Sequence, residues 1–115
     1  MLTAAIVLIA GGLVVSWLGQ KAAVGNLDRN WVVGIRIPST LASDEAWDAG
    51  HRAAGRILIL AGSAPIIGGA LMLVVGWGRD TLAATIALVA CGVLVGLVLI
   101  SGRVADRAAK AVTVS

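Results

Sequence analysis

The stretch 57-ILILAGSAPIIGGALMLVVGW-77, the short polar step Gly78-Arg79-Asp80, and 82-LAATIALVACGVLVGLVLISG-102 decide the fold. Each apolar block is about 21 residues long and free of charge, enough for a helix to cross roughly 30 Å of hydrocarbon. The short polar step predicts an antiparallel helical hairpin. Pro65 removes one backbone donor from the first of these helices and can kink it. Gly62, Gly68 and Gly69 let a neighbouring backbone come close.

A third apolar block, about residues 2–18, precedes the hairpin, with Trp17 at its interfacial end. Its start, Met-Leu-Thr-Ala-Ala, has no basic side chain, and no well-placed small-residue cleavage site follows, so a retained span is expected rather than a cleaved signal. With 59% hydrophobic and 13% charged residues in 115 positions, the chain lies outside the range of water-soluble domains. The prediction is an all-α, integral membrane protein of one domain. Its three transmembrane helices are about 2–18, 57–77 and 82–102, with a loop 19–56 and a tail 103–115.

Charge sets the expected orientation. Lys21, Arg29, Arg36, Arg52 and Arg56 follow the first span, Arg103, Arg107 and Lys110 follow the third, and Arg79 stands alone on the other side. The positive-inside rule then places loop and tail in the cytoplasm and the N-terminus outside. The net charge of +3 is spread along loop margins rather than clustered, which argues for membrane orientation and against nucleic acid. Arg outnumbers Lys seven to two and Phe and Tyr are absent, a bias expected of a GC-rich bacterial genome and hence of a bacterial plasma membrane.

Loop 19–56 carries the distinctive chemistry. It opens irregularly, with Gly25, Gly34 and Pro38 as punctuation. A helix should start after Ser43, a good N-cap, with Asp44 and Glu45 complementing the positive end of its dipole; Thr40 is the competing cap. On that helix Trp47, His51, Ala54 and Leu58 share one stripe, and Glu45, Asp48, Arg52 and Arg56 another. This is an amphipathic cytoplasmic lead-in helix, which either turns into the membrane near Gly55 or runs straight into the second span.

Several residues invite a chemical reading. His51 is the only histidine and lacks a compact set of His or Cys partners, so a structural hydrogen bond is expected above catalysis or metal binding. No catalytic residue and no cofactor is predicted. The spans contain no ionisable charge, which argues against a pump or ion-coupled transporter. Arg36 is expected to pair with a carboxylate such as Asp48 or with a lipid phosphate, or simply to be a solvated charge. Asp48 and Arg52 stand at i,i+4 and can pair on the surface. Gly92-x-x-x-Gly96 has the spacing of a helix-association motif, so a homo-oligomer is possible. Cys91 is expected to be a plain core cysteine.

Taken together, Gly34-Ile-Arg36-Ile-Pro38-Ser-Thr40-Leu, Ser43-Asp-Glu-Ala-Trp47 and His51-Arg-Ala-Ala-Gly55 resemble the signature of the SdpI membrane family. That signature usually reads Gly-x-Arg-Thr-Pro, then Thr-Leu, then Trp, a His or Asn four residues on, and Gly after four more. Here Ile37 stands in place of the Thr. The resemblance implies a non-enzymatic role in immunity against, or signalling of, a membrane-active toxin peptide. It singles out Gly34, Arg36, Pro38, Thr40, Trp47, His51 and Gly55 as structural or partner-binding positions. The expected partners are membrane lipids and such a peptide. The alternative is an accessory subunit packed on a larger membrane complex.

Overall fold

The computed structural model describes residues 1–27 and 34–114, with side chains to Val112. Arg29, counted above in the loop, lies outside the described residues. Among those described, the chain forms helix α1 (Leu2–Ala23), a single turn α2 (Pro38–Leu41), and the long helices α3 (Asp44–Val75) and α4 (Asp80–Val114). Three of the four are long and apolar enough to cross a membrane. The fold is all-helical, with the Cα trace extending over 56 × 20 × 20 Å.

The lead-in does not bend away from the second span. It is the first part of α3, 32 residues without interruption. Ser43 caps it, its Oγ accepting the Ala46 N–H at 3.0 Å, while Thr40 belongs to α2. At 1.5 Å per residue α3 and α4 are about 48 and 52 Å long, so each exceeds the hydrocarbon by roughly 20 Å. Residues 44–56 and 103–114 therefore form a helical pair outside the apolar layer. The first span also runs further than its apolar block, to Ala23, because Gly19 and Ala22 are buried and Gly19 packs against Gly55 and Ile59.

Helix α3 is the centre of the bundle, with α1 on one flank and α4 on the other; α1 and α4 barely touch. The seam with α1 is built on small residues. A Cβ on Gly62 would strike the Gly12 carbonyl and Ser16, and one on Gly69 would sit 2.7 Å from the Ala5 carbonyl. Here the backbones themselves are in contact, as expected where lipid supplies no hydrophobic drive and association rests on van der Waals packing. Ser16 strengthens the seam by donating to the Ile59 carbonyl at 3.1 Å. On the opposite flank Gly68 meets Ala90. At the end of the bundle away from α2, Ala5, Met72 and Ala83 bring all three spans together.

The outer surfaces of the spans are apolar: Val74 is 76% exposed and Leu88 74%, which only a lipid environment makes acceptable. Cys91 corrects the sequence reading. It is exposed on α4 rather than in the core, because α4 meets α3 through the stripe of Ala83, Ala90, Ser101, Ala105 and Ala109 and Cys91 falls about 100° away from Ala90. Gly92 and Gly96 also point away from the bundle, with nothing within 4 Å.

Candidate functional site

The lead-in stripe turns inward. Trp47 is 1% exposed and His51 1%, with their rings stacked at 4.1 Å between centroids and 26° between planes. One turn of helix sets this spacing, since residues at i and i+4 lie one above the other. The opposite stripe is solvated, and Arg52 Nε donates to Asp48 Oδ2 at 2.8 Å with both side chains about half exposed. Such a pair contributes only a few tenths of a kcal/mol (~0.3–0.5).

His51 and Trp47 hold the chain on either side of residues 28–33. The Trp47 indole N–H donates to the Leu27 carbonyl at 2.8 Å. The Ile35 N–H donates to His51 Nε2 at 2.8 Å, and His51 Nδ1 lies 2.8 Å from the Trp47 carbonyl. Nε2 must accept and Nδ1 must donate, so the imidazole is neutral with its proton on Nδ1. Thr40, fully buried, completes the arrangement: its hydroxyl donates to the Ile35 carbonyl at 2.6 Å and accepts the Ile37 N–H at 3.2 Å. Both backbone groups of Ile35 are thereby clamped, one by His51 and one by Thr40.

Gly34 makes room for the clamp. Its φ is +108°, a conformation that side chains disfavour, and a Cβ would stand 2.8 Å from His51 Nε2 and 2.9 Å from the Trp47 ring. Pro38 opens α2 at the first helical position, where its missing N–H is no loss. Gly55 lies a turn below His51, where its missing side chain admits the Ala23 backbone. Thus Gly34, Thr40, Trp47 and His51 meet at one point, while Pro38 and Gly55 shape the elements beside it. Arg36 is exposed on the rim.

Other members of the site carry no signature in the sequence. Ser39 Oγ donates to Asp106 Oδ1 at 2.6 Å across 67 positions, and Lys110 closes on Asp106 at 3.0 Å. The Ser39 hydroxyl, first, and then Lys110 hold the Asp106 carboxyl below its usual range. Gly50 fits between the Ala105 carbonyl and the Thr40 methyl, each 3.0 Å from where its Cβ would be. These contacts tie α2 to α3 and α4. Only the i,i+4 spacing of Asp106 and Lys110 was visible beforehand; the long-range partners were not.

Among the described residues every buried side-chain nitrogen and oxygen has a partner, and no three His, Cys, Asp or Glu side chains gather as metal ligands. The clamp consumes its own polar groups. His51 nevertheless gives it a pH dependence. Burial pushes the imidazole below its usual pKa, against smaller raising influences from the Trp47 carbonyl and the Asp48 carboxylate. Below pH about 6.5 the unfolded side chain takes up a proton that the folded one resists, so the contribution is whole above that pH and declines as pH falls through the folded value. Hydrogen exchange at the Ile35 amide should therefore accelerate, relative to its intrinsic rate, between pH 7.5 and 5.5. Constant protection across that range would refute the link between His51 protonation and the hold on Ile35.

An all-helical bundle whose spans expose apolar surface all round, with a polar clamp at one end, defines a multi-pass membrane protein. A model of the SdpI/YfhL protein family matches residues 26–102, which takes in the clamp, α2, α3 and the membrane part of α4. The chain belongs to this family. No match is found among curated proteins or among solved structures.

Proposed function

We propose that this protein acts without enzymatic chemistry, protecting a bacterial plasma membrane against a membrane-active peptide or signalling its presence. Membership of the SdpI/YfhL family is the observation that carries this reading, together with the immunity role that the resemblance implies. In support, the polar side chains of the family motif are engaged in holding the chain together rather than set out as a nucleophile, base and oxyanion hole. The receptive surface in this reading is the groove of about 310 Å³ between α3 and α4, lined by residues such as Ile67, Gly68, Leu71, Ile86 and Ala90. It is almost wholly apolar, as an intramembrane peptide helix requires. The charge distribution supports an orientation with the N-terminus outside and the clamp in the cytoplasm.

The test is survival. A sensitive bacterial strain expressing the chain is challenged with membrane-active peptides, and protection against at least one is expected. Filling the groove with Gly68→Leu should remove protection, with the amount of protein in the membrane measured alongside. Killing unchanged by the wild-type chain across the peptide set would count against the proposal.

A second reading, an accessory subunit of a larger membrane complex, is favoured by the outward Gly92 and Gly96 on α4. Extraction in mild detergent separates the two. Co-purification with a larger protein at fixed stoichiometry supports the subunit, and a lone monomer or homo-oligomer opposes it.

A further inference from the structure

The packing pairs fix which residues share a level along the bundle. Ala23 sits beside Gly55, and Gly50 beside Ala105. Lys21 and Arg56 therefore lie at nearly one height and Arg103 about one helical turn further out, each in the first turn beyond the apolar part of its own helix. Arg56 and Arg103 are exposed and Lys21 is half-buried. Among the described residues no carboxylate pairs with any of the three. Of the acidic groups described on this side, Asp48 is taken by Arg52 and Asp106 by Ser39 and Lys110, while Asp44 and Glu45 stand in the first turn of α3, about three turns from Arg56. These cations, at and just beyond the edge of the hydrocarbon, face the phosphate layer of the lipid.

One of the three is set in a cavity. Lys21 Nζ lies 4.7 Å above the Trp17 ring centroid, and a hollow of about 240 Å³ is lined by Trp17, Gln20, Lys21, Val24 and Asn26. The ammonium is attracted to the ring face, which restricts it to the mouth of the hollow. Trp17 and Val24 offer an apolar wall, and the Gln20 and Asn26 side chains are amide donors. The carbonyls of the last helical turn would repel an anion, but those of Gln20, Lys21 and Ala22 are occupied by the N–H groups of Val24, Asn26 and Gly25. We propose that this hollow is a binding site for the phosphodiester headgroup of an anionic phospholipid, with Lys21 on the phosphate and Trp17 against the upper acyl chain. The proposal rests on the membrane-spanning architecture and is independent of any peptide.

The full chain, purified in detergent, is mixed with dioleoyl phosphatidylglycerol or dioleoyl phosphatidylcholine, and retained lipid is read by native mass spectrometry. Phosphatidylglycerol should be retained in preference. Lys21→Ala should lower its retention about fivefold, the worth of one cation near a charged lipid surface, with Trp17→Leu lowering it while the charge is kept. Arg79→Ala, at the other end of the bundle, should have no effect, and Arg103→Ala clearly less than Lys21→Ala. Equal retention of the two lipids, or equal losses from Lys21→Ala and Arg103→Ala, would overturn the site. Displacement of the lipid by millimolar glycerol 3-phosphate would assign the hollow to a soluble phosphate and overturn the lipid assignment.

Discussion

Trp47→Ala should destabilise the protein by about 3–5 kcal/mol, the usual consequence of deleting a large buried aromatic side chain. Three losses coincide. The ring is 1% exposed, so its removal leaves a cavity in a densely packed region. Its stacking on His51 at 4.1 Å disappears, and the imidazole loses the surface that orients it. The Leu27 carbonyl is deprived of its indole donor. Trp47→Phe separates these effects, because it restores much of the volume and the ring but not the N–H, and should recover more than half of the loss. Thermal unfolding in detergent, followed by near-ultraviolet circular dichroism, gives both numbers. A Trp47→Ala protein that melts within a degree or two of wild type would mean that the clamp contributes little to the fold.

Gly62→Leu should be comparably damaging, at the upper end of the roughly 1–3 kcal/mol typical of overpacked cores. The first atom of the new side chain already collides with the Gly12 carbonyl and Ser16. Main chain cannot rotate aside as a side chain can, so α1 has to withdraw along the seam. Its hydrogen bond from Ser16 to the Ile59 carbonyl, 3.1 Å, should break with it. Paired cysteines at positions 12 and 62 would be strained even in wild type, so the separation is better followed by spin labels on the exposed faces of α1 and α3. An increased distance with α3–α4 distances unchanged is expected. Retention of the wild-type distance would show that the seam is less rigid than its backbone contacts imply.

The sequence made parts of this architecture plain for physical reasons. Uncharged runs such as 57–77 and 82–102 have one stable placement, so the hairpin was legible. The lead-in was legible because its polar and apolar residues alternate with helical period, which gave the phase of Trp47, His51, Ala54 and Leu58 correctly. Cys91 was misjudged for the converse reason: a helix that is apolar all round has no polar face to mark its outside. The partners of the clamp were out of reach too, because Leu27 and Ile35 contribute main-chain atoms, which every residue possesses. Ser39 and Asp106 are joined across 67 positions by nothing periodic. The continuity of α3 followed from contacts at Gly50 and Gly55 that depend on tertiary neighbours.

The way Ile35 is held has a consequence for variation. His51 and Thr40 grip peptide groups, and Thr40 likewise takes the Ile37 N–H rather than its side chain. The grip is therefore indifferent to what positions 35 and 37 display, which accounts for an isoleucine standing at 37 where the family signature has threonine. Anchoring and display are separate properties of this segment. The outward side chains around Arg36 can therefore be changed without loosening the attachment of the segment to α3.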